Sequence, residues 1–443
     1  MKNLPRNHSV LSVCVCLVVI ILALIPFHAF LSVWASSIFG HYTAIRLWKE
    51  YLLVICLIGS IYLFITNSVV RRTITASRLF KLIIAYLLIQ LIWGLVAYHL
   101  HQVDKKALGY GLLLNCRYLI FFLITWTLAL HSNELKKYAI KLVLWPAVVV
   151  IGFGILQIFV LPHNFLSHFG YGPNTIFPFE TINHNSNYVR IESTLRGANP
   201  LGAYLIIPLS AVTVLLFRGK TSWKKIVFIV SGIVVLIFSF SRGAWIGSMA
   251  AAVISLYYSL KSHALKTKLV YALVCLVVIA SGLSFGLRNN ARFQNIIFHT
   301  QTNSASPTSS DQGHTSALRG GIANIMSEPL GRGPGSAGQA SAYNNHPARI
   351  AENYFIQIGQ ETGWLGLGLF LIINLYIGYL LWLRRSDNLA LALLASFVGI
   401  FIVNMLSHAW SDDTLAYLWW GMAGVALSYP KIANSKLNKT RIN

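Results

Sequence analysis

Residues 71–100 read RRTITASRLFKLIIAYLLIQLIWGLVAYHL. Arg71, Arg72 and Arg78 precede an apolar run at 79–99 whose only charge, Lys81, sits at its edge. About 20 apolar residues in a helix are enough to cross the hydrocarbon of a bilayer. Working outward, comparable runs lie at 10–34, 47–66, 108–130, 140–160, 200–217, 225–240, 243–260, 268–286, 359–382, 389–407 and 412–430. With 79–99 that makes twelve; the pair around Ser241-Arg242 reads as two short helices or one long broken one. Of 443 residues, 56% are hydrophobic and 11% charged, and mean hydropathy is +0.63. A soluble domain carries about 25% charged residues, so a soluble enzyme, a disordered chain and a nucleic-acid-binding domain are excluded.

The net charge of +23 is mostly a topology signal. With the N-terminus in the cytosol, short cytosolic connections and tails hold 22 of the 35 Lys and Arg, opposed only by Glu134 and Asp387. That asymmetry predicts both termini cytosolic and an attraction to anionic lipid. Cys14, Cys16, Cys56, Cys116 and Cys275 all lie in apolar runs, which argues against disulfides or a metal site. Lys2, Arg6 and the run after them imitate a signal peptide, with Val33-Trp34-Ala35 as its nominal cleavage site; the run is long enough to span, so it is read as a retained helix.

The expected organisation is helices 1–5 in 1–160, a first outer loop at 161–199, helices 6–9 in 200–286, a large outer loop at 287–358, helices 10–12 in 359–430, and a basic cytosolic tail at 431–443. Cytosolic loops are too short for a nucleotide site, and neither a GxxxxGK[ST] nor a GxGxxG phosphate loop is expected anywhere in the chain. Long ordered loops are usually functional, which places the chemistry on the outer face without ATP.

The first long loop, LPHNFLSHFGYGPNTIFPFETINHNSNYVRIESTLRGANPLGAY (161–204), ends in Arg190, Glu192 and Arg196 just before Asn199-Pro200 opens a helix. Pro suits a helix start and Asn can cap it. Two readings stand for Arg196: an anion site beside the helix N-terminus, or an arginine snorkelling to lipid headgroups. In FSFSRGAW (238–245), Arg242 lies between two apolar stretches without a connecting loop. It faces a cavity or an anionic partner, or else marks a tight turn. Arg117, inside LLLNCRYLIFFLITW, has a functional reading and a stronger structural one, in which it contacts polar groups within the bundle or snorkels outward.

The second long loop carries Arg288, Arg292, the polar tract SASPTSSDQGHTS, expected to be mobile, then Arg319, Glu328 and the turn PLGRGPGSAG with Arg332. NNHPARIAENYFIQIGQETGWLG follows. Arginines chelate phosphate through paired hydrogen bonds. Several of them beside His346 or Glu352 as a base suggest a diphosphate site, with His346 also readable as a solvated loop histidine. Aromatics through both loops suit sugar rings, and equally a membrane interface.

At these residues the chain resembles the bacterial O-antigen ligase and O-antigen polymerase superfamily. The matching pieces are TLRGANPLGAYL (194–205), FSFSRGAWIG (238–247), LRGGIANIMSEPLGRGPG (318–335) and ENYFIQIGQETGWLGLGLF (352–370), in the family's order. The resemblance covers about 150–385; the first 140 residues share hydropathy only. It implies an all-α polytopic transmembrane bundle of about 12 spans, resembling a GT-C-type glycosyltransferase, with two long outer loops. It implies metal-independent transfer of glycan, without cofactor, from an undecaprenyl-diphosphate carrier to an acceptor glycan or glycolipid, at the outer face of a bacterial inner membrane. By motif position the diphosphate clamp maps to Arg196, Arg242 and Arg319, with His346 and Glu352 as candidate bases. Arg190, Arg332, Asn353 and Tyr354 are further expected substrate contacts. The family often has His-Asn where this chain reads Glu352-Asn353. That departure leans the reading toward a polymerase, or a ligase for a surface glycan other than the lipid A core.

Other classes remain. Twelve spans suit a secondary transporter, but no internal repeat is evident, the central link at 218–224 is short, and intramembrane acids are scarce. A flippase would want its cations in a central cavity, and a peptidoglycan-type polymerase would have fewer spans and rely on an outer-loop acid.

Overall fold

The computed structural model describes residues 7–182, 185–290, 293–298 and 310–428. Each of the twelve apolar runs forms helix. The first run gives α1 (Asn7–Leu24) and α2 (His28–Phe39), joined by a 3-10 turn at Ile25–Phe27 that accommodates Pro26. The short α3 (Tyr42–Ile45) leads into α4 (Trp48–Thr66). Next, α5 (Ser68–Thr75) is amphipathic, burying Val70 and Ile74 while Arg71 and Arg72 stay exposed, and the Asn67 side chain caps it at 3.0 and 3.1 Å. The middle of the chain forms α6 (Arg78–His99), α7 (Lys105–His131), α8 (Glu134–Phe159), α9 (Ala198–Arg218), α10 (Trp223–Phe238), α11 (Arg242–Ser259) and α12 (His263–Gly286). After α13 (Ser310–Ser327) come α14 (Tyr354–Leu383), α15 (Asn388–Leu406) and α16 (Asp413–Leu427).

Eight of these passages are long and apolar enough to cross a membrane: Leu11–Phe39, Tyr42–Thr66, α6, α7, α8, α9, α14 and α15. The protein is therefore a polytopic helical membrane protein. Helices α10, of 16 residues, and α16, of 15, are shorter. The break at Ser241-Arg242 separates two helices rather than bending one: Phe240 takes φ +48, and Ser239 Oγ receives the Ser241 amide at 3.3 Å.

Helix α16 lies at the centre, buried from Thr414 to Leu427, with α7 as its main neighbour. Helices α9, α11 and α15 pack as a second layer. Glycines set the spacing there: a Cβ on Gly247 would meet the Gly399 carbonyl at 2.6 Å, and one on Gly202 would meet Ala244 Cβ at 2.7 Å. Small residues let backbones approach in this way where lipid offers no hydrophobic drive.

The two long connections meet at one end of the bundle, where Arg196 of the first reaches Gln339 of the second at 3.3 Å. At the basic end Arg218 ties three connections together through the carbonyls of Tyr258 (3.0 Å), Arg385 (2.8 Å) and Ser386 (3.0 Å). The first long loop is not wholly irregular. It forms a hairpin, β1 (Glu180–Ile182) with β2 (Asn185–Arg190), pairing Glu180 with Arg190 and Thr181 with Val189. The expected mobility of SASPTSSDQGHTS is corrected in part, because 310–316 are the first turns of α13. Residues 304–309 lie outside the described residues.

Candidate functional site

After the hairpin the chain dives between helices, and Ile191–Leu195 is buried. The Ile191 amide donates to Phe238 O (3.3 Å), the Ser193 amide to Gln157 Oε1 (2.7 Å), Ser193 Oγ to Val150 O (2.7 Å), and Thr194 Oγ1 to Pro26 O (2.9 Å). Those bonds satisfy backbone groups that burial would otherwise orphan. The segment delivers Arg196 and Gly197 to the start of α9. A side chain on Gly197 would meet Glu180 Oε1 at 2.5 Å and push the Glu180 carboxyl aside.

A cavity of about 480 Å³ opens at this loop end. Its wall includes Tyr42, Arg46, Tyr110, Phe177, Glu180, Glu192, Arg196, Asn199, Gln339, Asp412 and Asp413. Arg196 Nε pairs with Asp412 Oδ2 at 3.0 Å, and its Nη1 reaches Gln339 at 3.3 Å. Asp412 also caps α16, accepting from the Leu415 amide at 3.1 Å. Arg46 bonds the Tyr110 hydroxyl and lies over the Tyr42 and Tyr110 rings, 6.0 and 5.5 Å from their centroids. Among the described residues it has no carboxylate partner.

Beneath the cavity lies a buried ion cluster. Arg117 pairs with Glu50 at 3.1 Å and with Asp413; Lys49 pairs with Asp413 at 2.8 Å and with Glu50 at 3.0 Å. His28 Nε2 stands 3.1 Å from Asp413 Oδ2, while Trp48 Nε1 donates to His28 Nδ1 at 3.0 Å. Two cations thus meet two carboxylates, the arrangement that makes charge tolerable inside a membrane protein. Arg117 has the structural contacts expected of it.

Arg190 closes the hairpin. It pairs with Glu180 at 3.2 Å and donates to Ser239 O (3.0 Å) and to Asn199 Oδ1 (2.6 Å). Arg242 opens α11, donates to Ile297 O at 3.3 Å, and lies near enough to Arg190 for its charge to lower that guanidinium's affinity for its proton, although burial is the larger cause. Arg190, Arg196 and Arg242 therefore gather around the first turn of α9. Arg319 stands apart, exposed on α13 in a shallow open groove of about 720 Å³ with Gln312, Thr315 and Ser316.

The two candidate bases are not brought together. His346 is exposed over the α6–α7 connection, its Nε2 3.4 Å from His101 O, beside Asn345, whose amide bonds Asp104 at 2.6 Å. Glu352 takes φ +51 and pairs with His314 of α13, a bond that holds its carboxyl below the ordinary carboxylate range. His408, pushed down to about 4 by burial, feels the charges of both Glu352 and Arg196. Glu352 therefore shares an electrostatic neighbourhood with the Arg196 cavity through His408. Asn353 caps α14, accepting from the Ile356 amide (3.0 Å) and donating to Met405 O (2.9 Å). Tyr354 is fully buried, its hydroxyl 3.2 Å from that of Tyr118.

Arg332 belongs to a scaffold. It pairs with Glu328 at 2.5 Å, and Arg349 clasps the same carboxylate at 2.6 and 3.2 Å. Those bonds, Arg349's foremost, hold Glu328 below the ordinary carboxylate range. GPGSAG (333–338) spells GxGxxG, yet it opens no phosphate site: the Gly333 amide donates to Glu361 O at 2.7 Å and the Gly335 amide to Glu361 Oε1 at 2.9 Å.

Sequence reasoning did not single out Arg46, Lys49, Asp412, Asp413, His314 or His408 as site residues, and named Glu192 only in passing. A signal existed: Lys49-Glu50, Arg117 and Asp412-Asp413 are charges at or within separate spans, and such charges seek one another. Among the described residues no three of His, Cys, Asp and Glu stand close enough to hold a metal ion.

No curated protein matches the chain. Residues 226–371 match the family model described as O-Antigen ligase. That stretch runs from α10 into α14, and so contains Arg242, Arg319, Arg332, His346 and Glu352 but not Arg190 or Arg196. Over that stretch, about a third of the chain, the match supports the resemblance to the O-antigen ligase and O-antigen polymerase superfamily.

Proposed function

We propose that the protein is a glycosyltransferase that moves or polymerises a surface glycan from an undecaprenyl-diphosphate carrier onto an acceptor sugar, at the outer face of the bacterial plasma membrane, with twelve spans and both termini cytosolic. The observation that carries it is the cavity at the loop end, where Arg196 and Arg46 line a wall also made of aromatic rings, amides and carboxyls. Pockets with mixed apolar walls and a few convergent polar groups are the usual ligand sites.

In the reaction the acceptor hydroxyl attacks the anomeric carbon. The bond from that carbon to the diphosphate oxygen breaks, and the configuration inverts. Arg196 and Arg242 hold the charge that grows on the departing diphosphate, and Arg319, apart from them on α13, is assigned to the same clamp by motif position alone; such preorganised donors are worth about 10²- to 10³-fold each. The proton passes to Glu352, ionised at neutral pH because His314 bonds it. Its neighbourhood with His408 and Arg196 supports Glu352 over His346 for this role.

The test is complementation of the native host with Arg196→Ala, Arg242→Ala, Arg319→Ala, Glu352→Gln and His346→Ala, each checked for membrane expression. The expected result is loss of long surface glycan and build-up of carrier-linked precursor in the first four, with His346→Ala retaining its ladder. An unchanged ladder in all three arginine variants would remove the transfer reading.

A further inference from the structure

We infer that Glu192 is a sugar-contacting residue, whose carboxyl hydrogen-bonds a hydroxyl of the glycan in the Arg196 cavity. The inference rests on the glycan-transfer reading and deepens it, naming a group that would recognise sugar rather than diphosphate.

Glu192 lines the cavity, yet the residue is only 1% exposed. Its Oε1 is buried with no hydrogen-bond partner among the described residues. An unsatisfied buried carboxyl oxygen is costly, and the fold does not require this one. The segment is anchored by its neighbours instead, since Ile191, Ser193 and Thr194 bond Phe238, Gln157, Val150 and Pro26. Nor, among the described residues, is Glu192 half of an ion pair, because the adjacent cations are engaged elsewhere, Arg190 with Glu180 and Arg196 with Asp412.

What remains is a polar group held ready for a ligand. Burial foremost, and the Glu180 charge second, raise the Glu192 carboxyl well above the ordinary carboxylate range. In its protonated form it offers one O–H donor and a carbonyl acceptor. A sugar hydroxyl offers the same complementary pair, whereas a cationic ligand would call for an ionised carboxylate. The opposing walls suit a sugar ring: Tyr42, Tyr110 and Phe177 present ring faces, and Asn199 and Gln339 present amides.

The experiment uses the full chain in lipid nanodiscs and reads ligand binding by thermal shift. The ligands are undecaprenyl diphosphate alone, carrier-linked glycan extracted from the native host lacking this protein, and the free acceptor glycan. Wild type is compared with Glu192→Leu, Glu192→Ala and Glu192→Gln. Bare carrier should bind all four alike. The glycan-bearing ligand should bind the Leu and Ala variants at least tenfold more weakly than wild type, and the Gln variant within threefold. A deficit confined to the free acceptor glycan would place the contacted hydroxyl on the acceptor.

Equal glycan affinity in wild type and the apolar variants overturns the assignment. So does failure of both apolar variants to fold, which would make the carboxyl a packing group. A wild type that binds neither carrier nor glycan sinks the transfer reading itself, a result distinct from either.

Discussion

Glu192 couples folding to protonation in a direction that its surroundings determine. Its proton is held above the ordinary carboxylate range, so between that range and the raised value the folded chain binds a proton that the unfolded chain has lost. Stability must then fall as pH rises through that window. Glu192→Gln removes the titration while keeping a neutral side chain. Its melting temperature relative to wild type should therefore climb as pH rises above the ordinary carboxylate range, by a free energy of up to about 1.4 kcal/mol per pH unit until the folded-state carboxyl ionises. Parallel melting curves across that range would show that the carboxyl does not titrate above its usual value. The sequence shows Glu192 between Arg190 and Arg196 without telling which charge meets which. Only the fold assigns Arg190 to Glu180 and Arg196 to Asp412, leaving the middle residue its proton.

Among the helices, α14 shows why a correct span can hide a break. The run at 359–382 is mostly apolar, with Glu361 as its one charge, and reads as one helix. In the structure α14 begins earlier, at Tyr354, and Gly363 takes φ +62 within it. The kink frees two carbonyls and an amide that the turn from the preceding loop then uses: the Arg332 amide donates to Gln360 O at 3.0 Å and the Gly333 amide to Glu361 O at 2.7 Å, while the Trp364 amide donates back to Pro329 O at 3.0 Å. Glu361 completes the lock, accepting from Asn115 Nδ2 of α7 at 2.6 Å. A Cβ at Gly363 would be strained by its φ and would press on the Leu330 backbone. Gly363→Ala should therefore cost about 2 kcal/mol or more and loosen the turn. Trypsin should cut at Arg332 faster in the variant than in wild type; equal rates would mean that the kink does not hold the loop. Hydropathy could not show this, because the break depends on backbone partners from another part of the chain.

Across the full chain the legible part was the bundle. All twelve apolar runs are helical. The site was legible only as scattered arginines: composition tells that charges must be partnered, but which charge meets which is a matter of tertiary packing, as with Arg117 and Asp413. Orientation in the membrane follows from a physical asymmetry that the fold sharpens. One end holds Arg71, Arg72, Arg78, Lys136, Lys137, Lys220, Lys224, Arg384 and Arg385 in short connections, while the opposite end carries the cavity and both long loops. Cations in short loops stay on the cytosolic side, so the cavity end should face outward, where a diphosphate on a lipid anchor could enter from the bilayer. Asn345 and Lys137 mark the two ends and can be tested directly. In a chain whose native cysteines are replaced, Asn345→Cys should react with a membrane-impermeant maleimide added to intact spheroplasts, and Lys137→Cys only after the membrane is opened. The reverse pattern would place the cavity in the cytosol and remove the outer-face reaction altogether.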